Sequence, residues 1–236
     1  MISRIKNLVR TKLHNEAQRN DFVRERLSLL PATSLLLDAG CGSQQYRKYC
    51  DHLIYKAQDF AQYNNDTGDG FTSGMGGETG YVYGEIDYVG DIWAVDEVSS
   101  HFDAILCTEV FEHIPYPNET VKEFARLLKP GGQLILTVPS NCLRHMDPYF
   151  FYSGFSDRYL RKILDENGIE IELIEPVGDY YSWISVELAR TMRHHSPLSW
   201  IFNGPALLWF MMKRPTAASV NTLCMGYHVV ARRRPL

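Results

Sequence analysis

The sequence lacks any C-x-x-C pair, any apolar run long enough to cross a membrane, and any excess of positive charge. Its five cysteines, Cys41, Cys50, Cys107, Cys142 and Cys224, lie far apart and are odd in number. A chain of 236 residues buries a large core without covalent staples, so reduced thiols and a cytoplasmic location are expected. The most apolar tract, Leu198 to Met212, is shorter than the roughly 20 residues a membrane span requires, and Asn203-Gly204-Pro205 is expected to break it. Met1 to Asn15 offers no continuous apolar core for a signal peptide. A formal net charge of −4 disfavours nucleic acid as a partner, because phosphate binding needs basic surface. What remains is an ordinary folded composition, 45% apolar and 22% charged, which argues against disorder.

Hydrophobic spacing supplies the elements. Ile2, Ile5, Val9 and Leu13 recur at helical intervals among Arg4, Lys6, Arg10 and Lys12, predicting a short basic amphipathic helix over Met1 to His14. A second helix over Asn20 to Leu30 stops at Pro31. Ser34-Leu35-Leu36-Leu37-Asp38 is too short for a helix and reads as a buried first strand. Further strands are expected at Leu53 to Asp59, Ile86 to Ile92, Phe102 to Thr108, Gln133 to Val138 and Ile169 to Ile174. A helix from Pro117 to Lys129 carries Val121, Phe124, Ala125 and Leu128 on one face and ends at Pro130-Gly131-Gly132. Ser156 can cap another helix, with Gly168 as its stop. A helical excursion, read as a lid or as core helices, covers Tyr180 to Met212, and Thr222 to Arg232 makes a final strand. Between Phe60 and Gly84, seven glycines and three tyrosines replace regular structure with a long loop.

Strands alternating with helices predict a parallel, doubly wound α/β sheet covered on both faces. Without repeats or linkers, one domain is expected over 1–236, with N-terminal helices to residue 30 and a ligand-binding core over 34–178.

Asp38-Ala39-Gly40-Cys41-Gly42 follows the first strand, where glycines let the backbone approach a ligand at the sheet edge. A dinucleotide loop places a third glycine three residues after Gly42; Gln45 stands there. Asp38 suits a ligand with ammonium and sulfonium groups better than one with phosphates. Asp59, 17 positions after Gly42 and at the end of the second strand, can accept ribose hydroxyls. Asp91, ending the third strand, can receive an adenine amino group.

Leu37-Asp38-Ala39-Gly40-Cys41-Gly42, Ala57-Gln58-Asp59 and Val89-Gly90-Asp91-Ile92 resemble the cofactor-binding series of class I S-adenosylmethionine-dependent methyltransferases. Phe102 to Ile114, with Cys107-Thr108-Glu109-Val110-Phe111-Glu112-His113, and Leu127-Leu128-Lys129-Pro130-Gly131-Gly132 continue the resemblance. It spans about Ser34 to Gly178 and is nearest the branch holding quinone-biosynthesis methyltransferases. It implies a Rossmann-like sheet of seven strands with the last antiparallel, and S-adenosylmethionine as cofactor. Asp38, Gly40 and Gly42 would then hold the amino-acid end, Asp59 the ribose, and Asp91 with Ile92 the adenine. Thr108 and Glu109 would line the methionyl and acceptor side. The chain departs from the pattern at Gln44, in place of a frequent third glycine, and in the glycine-tyrosine loop, in place of a helix.

Methyl transfer needs alignment above all, and an oxygen acceptor of high pKa also needs a general base. His145, beside Asp147 in an aromatic loop over Ser140 to Phe155, is the preferred base and His113 the second. The aromatics there either pack flat against an acceptor or roof the core. A small-molecule or saccharide acceptor, methylated at oxygen, is expected, and no metal is assigned. Two alternatives stand beside this reading. Glu109, Glu112, His113 and a later histidine resemble the metal site of small-RNA 3′-end 2′-O-methyltransferases, and a cofactor-binding partner subunit without catalysis is equally compatible with the motifs. The aromatic C-terminal excursion (Trp183, Trp200, Trp209) leaves a peripheral membrane contact open.

Overall fold

The computed structural model describes residues 15–63, 82–194 and 198–235. The predicted helix over Met1 to His14, most of the Phe60 to Gly84 loop and His195 lie outside them. The described elements run α1 (Asn15–Ser28), β1 (Leu35–Ala39), β2 (Ile54–Asp59), β3 (Tyr88–Val89), β4 (Phe102–Thr108), α2 (Pro117–Leu127) and β5 (Leu128–Pro139). There follow α3 (Asp157–Glu166), β6 (Ile169–Val177), α4 (Tyr180–His194), α5 (Leu198–Met212), α6 (Ala217–Thr222) and β7 (Gly226–Arg233).

The seven strands form one sheet in the order β3-β2-β1-β4-β5-β7-β6. β1 pairs in parallel with β2 and β4, and β4 with β5, while β7 runs antiparallel between β5 and β6. The chain order reverses direction at β1 and β4, and open α/β sheets bind ligands at that crevice. Successive residues of a strand face opposite sides, so Leu36 and Leu37 enter two different cores. Leu37, Ile105 and Leu134 pack under α2 and α3, through Val121, Phe124 and Leu160. Leu36, Leu106 and Ile135 pack under α1, through Phe22, Val23 and Leu27. Truncating any of these fully buried leucines to alanine removes about 2–5 kcal/mol.

Local chemistry explains most boundaries. Pro117 starts α2, where its missing N–H is not needed. Ser156 caps α3 by accepting from the Tyr159 N–H, as expected. Four expectations change. α2 stops at Leu127, and the Lys129-Pro130-Gly131-Gly132 turn lies within β5, because Leu128 already pairs with Phe102. The third strand shrinks to Tyr88–Val89 at the sheet edge. The last strand starts at Gly226 and not at Thr222, which ends a helix capped at Thr216. Finally, α5 runs unbroken through Asn203-Gly204-Pro205. Pro205 is the eighth residue of the helix, so its missing N–H leaves the Ile201 carbonyl without its helical donor. No described helix is long and apolar enough to cross a membrane.

Candidate active site

The carboxyl edge of the sheet holds a cavity of about 380 Å³. Asp38 from β1, Gly40 and Gly42 from the loop beyond it, Asp59 from β2, and Thr108 with Glu109 at the end of β4 all line it. Asp91, Ile92 and His113 complete the set, and of the site residues expected from the sequence only His145 stands outside the lining. The volume suits a small ligand.

Backbone contacts shape the end of the cavity at the glycine loop. Gly40 has φ +71°, and a Cβ there would sit 2.5 Å from Val110 Cγ2, so only glycine fits. The Gly42 N–H donates to one oxygen of Asp59 at 2.9 Å and the Ala61 N–H to the other at 3.0 Å. Asp59 thus fastens the glycine loop to the end of β2 while facing the cavity. Gln58, buried beside it, accepts from the Gly40 N–H at 3.1 Å and donates to the Gly90 carbonyl at 2.7 Å. One side chain thereby ties the β1 loop to the turn carrying Asp91.

The cavity is acidic, with one exception. Asp38 is only 2% exposed and accepts from the Tyr55 hydroxyl at 2.6 Å. Burial lifts its carboxyl to about 7; the Tyr55 hydrogen bond opposes this and nearby Asp59 adds to it. Burial also raises Asp59, against the N–H groups of Ala61 and Gly42. Among the described residues, Arg19 of α1 is the one Lys or Arg in the lining. Its guanidinium lies 3.2 Å from Glu109, and its Nε has no hydrogen-bond partner among the described residues. Sequence reading missed Arg19, although it precedes Phe22 and Val23 by three and four residues, which puts it on their buried face.

The two departures from the family pattern meet each other. Gln44 takes φ +58°, and its amide donates to the Glu85 carbonyl at 2.6 Å, at the far end of the glycine-tyrosine loop. The described ends of that loop wall the cavity: Tyr63 and Tyr83 line it, and the Tyr63 N–H donates to the Tyr83 hydroxyl at 3.1 Å. Phe60 meets Tyr149 edge-on at 4.8 Å.

Side chains build the other end, where Trp93, Met146, Tyr149 and Phe151 line the cavity. His113 Nδ1 lies 2.6 Å from the Tyr149 carbonyl. A carbonyl only accepts, so Nδ1 carries the proton and Nε2 is bare. His145 repeats the arrangement on the Leu143 carbonyl at 2.8 Å, and the two rings meet edge to face at 4.6 Å. Burial first, then His145, lowers His113 to about 4, which keeps it neutral. Asp147, expected beside His145, pairs with Arg144. Glu112 is 2% exposed, its Oε1 lies 3.7 Å from His113 Nε2, and its Oε2 has no hydrogen-bond partner among the described residues. Burial and then Glu109 push its carboxyl well above the usual range. Ligand atoms of Glu112, His113 and His145 lie within 4.8 Å of one another. The sequence had singled out Glu112 only through a resemblance.

The sequence profile of a methyltransferase-domain family matches residues 13–174. The chain belongs to this family, within the class I S-adenosylmethionine-dependent methyltransferases. A ubiquinone biosynthesis O-methyltransferase of Xanthomonas axonopodis pv. citri (strain 306) is 32% identical over 121 residues, covering 50% of this chain and 48% of that protein. The chain spans about half the length of such curated relatives, or less. Phosphoethanolamine N-methyltransferase 2 of Haemonchus contortus, solved with S-adenosyl-L-methionine, superposes with TM-score 0.52 at 15% identity, covering 93% of this chain and 53% of that one. The [4+2]-cyclase SpnF superposes with TM-score 0.57 at 20% identity, over 93% of this chain and 82% of that one. A cyclase on the same architecture shows that the fold leaves the reaction open.

Proposed function

We propose that the chain transfers the methyl group of S-adenosylmethionine to an oxygen of a small-molecule or saccharide acceptor. The observation that carries this reading is the charge arrangement of the cavity. Asp38, Asp59, Asp91 and Glu109 line the cavity with a single cation among the described residues, Arg19, which suits a ligand bearing a sulfonium, an ammonium and one carboxylate. Asp38 takes the ammonium, and the Arg19 guanidinium takes the carboxylate. Asp59 offers its outward lone pairs to the ribose, and Asp91 with Ile92 holds the adenine. Names of relatives favour oxygen as the acceptor atom. His113 supplies a bare Nε2 at that end, with His145 packed behind it, where a base removes the acceptor proton. Turnover of labelled S-adenosylmethionine against catechols, phenols and sugars tests the proposal. Methyl transfer to nitrogen acceptors alone would contradict it.

A second reading has its own observation. Glu112, with its Oε2 unpartnered among the described residues, and the two imidazoles bring one ligand atom each within 4.8 Å of the others, which fits a borderline divalent ion such as Mn²⁺ or Zn²⁺ that would displace the Glu112 proton. Each imidazole is held by a backbone carbonyl through its other nitrogen, as metal-ligating histidines usually are. Such an ion would lower the pKa of an acceptor oxygen. Calorimetric titration of Mn²⁺ or Zn²⁺ into the chelator-treated chain distinguishes the readings. Binding lost in His145→Ala supports the ion, and absence of binding leaves a protonated Glu112 facing His113.

A further inference from the structure

We propose that α5 lies in the surface of an anionic lipid bilayer. A helix apolar on all sides is normally buried. α5 reads LSWIFNGPALLWFMM without a charge, yet none of its residues is buried. Trp200, Ile201, Phe202, Leu208, Trp209 and Met212 are each more than half exposed, with Phe202 at 75%. One side of the helix leans on α4, through the stacked rings of Tyr181 and Phe210 and the bond from Asn203 Nδ2 to Thr191 Oγ1 at 3.0 Å. The rest faces solvent as a contiguous apolar patch, which soluble surfaces seldom leave uncovered.

Charge selects the occupant. After Glu187 the sequence contains no Asp or Glu through Leu236, and Lys213 and Arg214 follow α5 directly. Lys213 sits over the Trp209 ring at 4.1 Å, and neither it nor Arg214 has a carboxylate partner among the described residues. An apolar face ending in cations without acids complements lipid phosphates above an acyl layer. Tryptophans near both ends belong at that boundary. At 15 residues the helix is too short to span, so it lies along the surface. A second copy of the chain fits less well, since a two-fold contact would set Lys213 and Arg214 against their equivalents with no acid to offset them. The α4–α5 hairpin follows β6, whose carboxyl end lies on the same sheet edge as the cavity.

Flotation of the purified full chain with vesicles tests this independently of methyl transfer. The chain should float with vesicles containing about 30% phosphatidylglycerol, at least 10-fold more than with pure phosphatidylcholine, and less as salt rises. Phe202→Glu with Trp209→Glu should abolish flotation while S-adenosylhomocysteine binding and melting temperature hold. Should that variant misfold, Lys213→Glu with Arg214→Glu, at exposed positions, should still cut flotation several-fold. Equal flotation with both vesicle types, or none with either, overturns the proposal. So does a lipid-free dimer that Phe202→Glu dissociates, which would give the face to a second copy.

Discussion

Around the glycine loop, polar groups are fastened by backbone: Asp59 by the Gly42 and Ala61 amides, Gln58 by Gly40 and Gly90. At the other end of the cavity, His113 and His145 each hold one backbone carbonyl and leave a nitrogen bare, and Glu112 leaves an oxygen bare. The first region is complete without ligand except for Arg19 and Asp38; the second is not. A family that shares a cofactor but not an acceptor is expected to differ in this way, since a shared ligand can be met by backbone geometry. A changing ligand has to be met by side chains on loops.

That contrast can be broken by substitution. The largest effect should come from Gly40→Ala, which forces an L-residue into a left-handed conformation and a Cβ into Val110. Strain and overpacking together amount to about 2–4 kcal/mol, and cofactor binding should fall below detection in calorimetry. Next, His113→Ala should lower turnover by about 10²-fold or more while S-adenosylhomocysteine affinity changes less than about 3-fold. An equal loss in both would mean that the two regions are not separable. His145→Ala tests the base first expected from the sequence. It stands behind His113 and outside the cavity lining, so its effect should be the smaller of the two.

Arg19→Met should weaken the cofactor by roughly 1–3 kcal/mol by removing the one guanidinium that the described residues bring to the cavity and freeing Glu109. Retained affinity would place the cofactor's carboxylate elsewhere. The smallest effect concerns Asp38 and carries a sign. Its carboxyl rises on folding from 3.8 to about 7, so the folded empty chain binds more protons than the unfolded one between those values. Stability therefore falls as pH rises through that window. Asp38→Asn keeps an acceptor for Tyr55 and removes the titration. The empty variant should be more stable than wild type at pH 8 by about 1 kcal/mol, with no gain at pH 4. Thermal melts at both pH values decide it, and a gain at pH 4 as well would refute the assignment.

The sheet was legible because β1, β4 and β5 each contain a short apolar run (Leu35 to Leu37, Ala104 to Cys107, Leu134 to Leu136) and because Asp38, Gly40, Gly42 and Asp59 sit at fixed distances from strand ends. Arg19 was not, since its role depends on α1 packing against β4 and β5, which no local pattern encodes. Nor was the continuity of α5. Gly204 and Pro205 argue locally for a break, yet the helix continues through both at the loss of one backbone hydrogen bond. Gln44 looked like a loss of pattern at one position and the glycine-tyrosine loop like another. They are one feature, because the Gln44 amide holds the far end of that loop through Glu85.

The central claim is that the acidic cavity binds S-adenosylmethionine through Asp38 and Arg19. Calorimetric titration of the wild-type chain with S-adenosylhomocysteine at pH 6, in two buffers of different ionisation enthalpy, tests it most directly. Because the cofactor's ammonium favours the ionised form of Asp38, the account predicts micromolar binding with release of part of a proton, and no release in Asp38→Asn. No binding of either S-adenosylhomocysteine or S-adenosylmethionine, or binding with no difference between the buffers, would contradict it.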